Sequence, residues 1–236
     1  MRTFLLVATL ALLGVLETAG CGGSSEKPDA AVPADTASDT AAATNFSFFI
    51  TSVGNSKGGD FRRTTADTDG LAGADEFCRT KAMAAVPASA SRQWRAYLST
   101  DTVNAKDRIG AGPWFNRNGV MIAASVAALH DPPSNGINGT TGLDETGARV
   151  PGRNDTPNQH DILTGSTVAG TSNGNHCANW TSSDTSGVTA QLGHFDRMGG
   201  GADPMSWNSA HASQGCAATS FPPTGGRGSI YCFAAD

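Results

Sequence analysis

Gly70-Leu71-Ala72-Gly73-Ala74-Asp75-Glu76-Phe77-Cys78 opens the longest helical pattern in the sequence. At about 100° per residue, Leu71, Ala74, Cys78, Ala82 and Ala85 share one stripe, while Glu76, Arg79 and Thr80 lie opposite, which predicts an amphipathic helix. Asp69 and Gly70 suit its start, Asp75 and Glu76 bring negative charge to its first turns where the macrodipole favours it, and Pro87 stops the run. The stripe turns Cys78 toward the interior, where a cysteine calls for a partner. Ser229-Ile230-Tyr231-Cys232-Phe233-Ala234 is a β-branched and aromatic run that reads as the final strand and offers Cys232.

Working outward, the chain has 236 residues, of which 39% are hydrophobic and only 16% charged, so its surface is polar through hydroxyls and amides more than through ions. That is an extracellular style of composition. The net charge of -5 argues against nucleic acid or a polyanionic glycan as partner, because both need a positive field. Arg2, the apolar run Phe4 to Leu16 and the small residues Thr18-Ala19-Gly20 before Cys21 resemble a bacterial lipoprotein signal over residues 1–20. The resemblance implies a lipidated Cys21 and, with Gly22 rather than Asp next, an outer-membrane address. Ordinary cleavage nearby, leaving Cys21 as a free thiol and the protein secreted, is the alternative. With Cys21 set aside, the five cysteines leave four, an even set for disulfides in an oxidising compartment. Residues 21–44 are rich in Ala, Thr, Asp and Pro with nothing to bury, and read as a disordered tether.

The domain expected over residues 45–236 begins with a strand at Phe46 to Val53. Gln93 to Ser99 alternates as a second strand, Pro113 to Ile122 reads as a hairpin about Asn118-Gly119, and Ser125 caps a short helix ended by Pro132-Pro133. Further strand-like pieces are Ile162 to Val168, His176 to Thr181, Gln191 to Phe195 and Cys216 to Phe221. Two long irregular stretches intervene. The loop 134–161 has only Ile137, Leu143 and Val150 as anchors, and the other covers 182–206; loops of this length are commonly functional.

Gly70 to Asp75 with Phe77-Cys78, then Trp94-Arg95-Ala96-Tyr97-Leu98-Ser99, Ser125 to Leu129, Cys177-Ala178-Asn179-Trp180, Cys216 and Ile230-Tyr231-Cys232 follow the order found in endostatin, the C-terminal domain of basement-membrane collagens, and in related bacterial surface domains. The resemblance covers about residues 46–235. It implies an α+β, C-type-lectin-like (endostatin-like) fold: two helices packed on a twisted, mostly antiparallel sheet with long loops, first and last strands paired. Four cysteines admit three connectivities; the resemblance implies Cys78 with Cys232 and Cys177 with Cys216. Endostatin's zinc ligands come from an N-terminal histidine cluster that has no counterpart before Phe46, and Trp207-Asn208-Ser209 lacks the carboxylate of a calcium-dependent sugar triplet. Neither a metal nor another cofactor is expected.

His130, His160, His176, His194 and His211 show no paired spacing, although the inner bridge can bring His176 and His211 together. Asp144 and Glu145, with Asp155 and Asp161, are the acidic residues of the long loop. Trp114 and Trp207, near loops, are candidate sugar-stacking faces, and with Asp144, Glu145 and Asn208 they form the candidate ligand-binding set. The expected function is non-enzymatic: an envelope-anchored, calcium-independent adhesion-type domain recognising an extracellular protein or glycan through loops 134–161 and 182–206. A hydrolase using loop His and Asp side chains, and a purely structural envelope protein, are the alternatives; His176, His194 or His211 within reach of a carboxylate in a cleft would favour the hydrolase. For the anchor, metabolic labelling with a radioactive fatty acid is expected to mark the wild-type chain and to leave a Cys21→Ser variant unlabelled.

Overall fold

A computed structural model describes residues 45–236; the signal segment, Cys21 and the tether lie outside the described residues. The last strand, β8 (Gly226–Ala234), is the longest and is buried along almost its whole length. On one edge it pairs antiparallel with β1 (Phe48–Ile50), Phe48 facing Phe233 and Ile50 facing Tyr231. Along the other edge it pairs antiparallel with β2 (Trp94–Ala96) and, nearer its start, parallel with β5 (Asp161–Leu163). Strands β6 (Gln191–His194) and β7 (His211–Ala212) continue the sheet antiparallel beyond β5. The hairpin β3 (Trp114–Phe115) and β4 (Met121–Ala123) stands apart, turning through Asn118-Gly119 with Gly119 at φ 74°. The fold is therefore mixed α and β with a mostly antiparallel mixed sheet and few helices, consistent with the α+β class, and its first and last strands are paired.

Alternation along β8 builds two cores. Ile230, Cys232 and Ala234 join Phe49, Trp94, Leu98 and Trp180 beneath the predicted helix, α1 (Leu71–Ala85), which contributes Leu71, Ala74, Cys78 and Ala82. Tyr231 and Phe233 point the other way, into a core with Phe48, Ile50, Tyr97, Trp114, Ile162, Phe195 and Trp207. The long loop 134–161 is pinned to this second core by Ile137 and Val150, and Leu143 is buried as well. Asp75 lies past the first turn of α1, and its role is a tertiary contact. Its carboxylate accepts from the Ala96 backbone N–H of β2 at 2.9 Å and pairs with Arg108 and Arg95, so a buried ionic contact ties α1 to the sheet. The second helix, α2 (Val126–Leu129), is capped by Ser125 as expected but packs on β4 rather than on the main sheet.

Two predicted strands are absent. Cys216 to Phe221 becomes a 3-10 turn, because Cys216 and Ala217 both donate to the Asp184 carbonyl and Pro222-Pro223 follow. His176 to Thr181 is a left-handed turn: Cys177, Ala178, Asn179 and Trp180 have φ of 50, 53, 60 and 62°. Left-handed non-glycine backbone costs roughly 1–2 kcal/mol per residue, so it needs external restraint. The restraints are the Cys177–Cys216 bridge, the Trp180 indole N–H donating to Ser99 O, and Asn179 bonded through both amide atoms to Asp101.

Cys78 is bonded to Cys232, 154 residues apart, and Cys177 to Cys216, 39 apart. In the chain-entropy model these closures stabilise by about 5 and about 4 kcal/mol. Urea unfolding of the paired Cys78→Ala, Cys232→Ala variant is expected to show a loss of that size, larger than for Cys177→Ala with Cys216→Ala.

Candidate metal centre

The ends of three adjacent strands carry the site. Asp161 opens β5, with His160 just before it; the register sets His194, the last residue of β6, opposite Asp161, and sets His211, the first residue of β7, opposite Leu192. Strand pairing thus gathers side chains from positions 160, 161, 194 and 211 at one end of the sheet. The Nε2 atoms of His160, His194 and His211 lie 3.2, 3.2 and 3.4 Å from Asp161 Oδ1. Those of His160 and His194, with the Asp161 oxygen, are within 4.8 Å of one another. His160, Asp161 and His194 are buried, and the His211 side chain is 22% exposed.

The far nitrogens decide the tautomers. Each Nδ1 faces a group that can only accept or is anionic: Asp196 Oδ1 for His160, the Pro204 carbonyl for His194 and the Ala212 carbonyl for His211, all at 3.0 Å. Nδ1 therefore donates in all three rings, which leaves each Nε2, facing the carboxylate, as the position for a proton or a metal. An Nε2 lone pair 3.2 Å from a carboxylate oxygen repels it unless a cation, a proton or a metal, lies between. The distances are those of ion pairs but the angles are not those of hydrogen bonds. Of seven buried side-chain polar atoms without a hydrogen-bond partner among the described residues, four are here: His160 Nε2, Asp161 Oδ1 and Oδ2, and His194 Nε2. Stranding such atoms costs about 1–3 kcal/mol each, more for a charged group.

A tetrahedral zinc ion with bonds of about 2.0–2.1 Å has donor–donor edges of about 3.3 Å. The three separations from Asp161 match that edge. Three imidazoles and one carboxylate suit zinc, and each histidine already has the outer hydrogen bond that metal-bound histidines carry. Asp196 is itself oriented, accepting from the backbone N–H of Arg153 at 2.6 Å and of Met198 at 3.2 Å. Burial raises the Asp161 pKa, but where Nε2 carries a proton the imidazoles of His194 and His211 outweigh it and hold the carboxyl at about 2, and Asp161 in turn raises the pKa of His211, so proton and metal compete for the same nitrogens. Gly199, at φ 119°, packs on the His160 ring, where an added Cβ would come within 2.9 Å of Cε1.

The sequence-predicted site residues fare differently. Trp114 is buried with its N–H donating to Ala234 O, and Glu145 is buried and binds Ser52 through both oxygens. Asp144 accepts from Thr146 and Ala148 to fix its own turn, and Asp155 pairs with Arg149, so no acidic cluster forms in the long loop. Trp207 and Asn208 are buried but line a cavity. His176 and His211 do not meet. His176 accepts from the Asn179 N–H through Nδ1 and turns Nε2 to Asp101 at 2.9 Å, bracing the left-handed turn. The grouping of His160, Asp161 and His194 comes from strand register, which spacing along the chain does not show. The one sequence cue is the His160-Asp161 pair entering a strand.

No family model matches the chain, and no curated protein matches it. The chemistry of the site rests on its geometry. Because Asp196 orients His160, Asp196→Asn is expected to weaken zinc binding by about 10- to 100-fold, read by competition with a chromogenic chelator.

Proposed function

We propose that residues 45–236 are an extracytoplasmic recognition domain of C-type-lectin-like, endostatin-like architecture, held to the outer membrane by a lipid at Cys21. A zinc ion bound by His160, Asp161, His194 and His211 fixes its loop-rich side. The observation that carries the metal is the convergence of buried, unpartnered donor atoms on Asp161. His160, Asp161 and His194 form the inner donor set, and His211 drawn in as a fourth donor would give the closed form of a structural zinc site, whereas catalytic sites keep a position open for water. Its role is then to lock β5, β6 and β7 together at the base of loop 182–206. The paired first and last strands and the nested disulfides support the architecture. The two bridges fit an oxidising compartment, and among the described residues no helix is long and apolar enough to cross a membrane. The partner class is an extracellular protein or glycan, read by a glycan and protein array.

His194 and His211 both meeting a carboxylate favours a second reading, a metal-dependent hydrolase in which the solvent-touched His211 yields its place to water. That reading requires chelator-sensitive ester or peptide hydrolysis that survives His211→Ala.

Untagged protein purified without chelator is expected to hold about one zinc per chain by mass spectrometry of the metal. Asp161→Ala with His194→Ala should hold none. Zinc at 100-fold excess over its dissociation constant should stabilise by about 2.7 kcal/mol, raising Tm by about 5–10 °C over chelator-treated protein, and the gain should shrink below about pH 6 as protons compete for the imidazoles. Failure of zinc, copper, nickel, cobalt and manganese alike to bind or to shift Tm would overturn the metal assignment.

A further inference from the structure

Beside the sheet, a cavity of 490 Å³ opens between two walls. One is made by Pro132, Val168 and Ala169, the other by the segment Arg197 to Asn208 that joins β6 to β7. Its volume lies within the range of small-molecule sites. The lining is mostly apolar, and its rim shows large apolar side chains to solvent: Val168 is 52% and Met205 60% exposed. Apolar groups clustered on a surface otherwise rich in hydroxyls and amides mark a place where something binds. Trp207 supplies an aromatic wall, its ring tilted at 49° against Tyr97 with 4.8 Å between ring centres.

The polar groups of the cavity are accounted for, with one exception. His130 donates through Nδ1 to Val126 O and accepts through Nε2 from the Tyr97 hydroxyl, and burial lowers its pKa, so it is neutral at pH 7. The Asn208 amide donates to Tyr97 and to the Thr167 carbonyl, and its oxygen accepts from Ser206. Arg197 is the exception. Its guanidinium bonds only to the carbonyls of Ile137 and Met205, Nη2 has no partner, and no carboxylate among the described residues lies within ion-pairing distance. Asp203, the other charge on the lining, is exposed, where water screens it. Arg197 also sits at φ 57°, a left-handed conformation that a long side chain adopts only when its surroundings hold it there.

We propose that this cavity binds a small amphiphile whose apolar body lies against Val168, Met205 and Trp207 and whose anionic head group, a carboxylate or its like, pairs with Arg197. None of the proposed metal donors lines the cavity, so the inference stands or falls apart from the metal. Carboxylate recognition by a guanidinium is charge-assisted, and partial desolvation strengthens it.

Calorimetric titration of the intact protein with decanoate tests this, with 1-decanol as the uncharged comparator. One decanoate per chain is expected, bound at least tenfold more tightly than decanol. Arg197→Gln should remove most of that preference while leaving decanol binding in place. Met205→Trp, at an exposed position that tolerates a larger side chain, should fill the cavity and weaken both ligands tenfold or more. Absence of saturable decanoate binding, equal affinity for both ligands, an Arg197→Gln variant that keeps the preference, or a Met205→Trp variant that binds as before would each overturn the proposal.

Discussion

The backbone hydrogen bonds of β8 hold the rest in place. This strand is paired along both edges, with β1 on one side and β2 and β5 on the other. Its alternating side chains set the two cores apart, cysteine and isoleucine toward α1, aromatic rings toward the loops. A one-residue slip would exchange the faces and put Tyr231 and Phe233 against the helix, so the register is enforced from both sides. The chain's last element is thus its central one, and the early segments cannot complete either core until it arrives.

Much of this was legible because it is local. Helix periodicity places α1, Asn118-Gly119 places the hairpin, and Ser125 caps α2. Ile137, Leu143 and Val150 are recognisable as anchors because they are the only large aliphatic residues in their loop. What failed to show is set by distant partners. Four successive residues in left-handed conformation cannot be expected from His176-Cys177-Ala178-Asn179-Trp180, since the restraints come from Cys216, Ser99 and Asp101. Trp114 looks like a surface aromatic beside a turn, but its indole reaches the Ala234 carbonyl across the second core.

The His/Asp centre was hidden for the same reason in sharper form. Its members span residues 160 to 211, and only the register of β5, β6 and β7 makes them neighbours. The segment 195–210 then has two duties. It carries the carbonyl of Pro204 that aims His194, and it carries Arg197, Met205 and Trp207 to the cavity. Its irregularity reflects dense specific bonding to side chains and loop carbonyls.

The nested bridges also bear on how such a domain withstands proteases. A protease cut anywhere between Cys78 and Cys232 leaves two pieces still covalently joined, and a cut between Cys177 and Cys216 leaves them joined twice over. Nicked molecules would stay in one piece, their wear visible only after reduction.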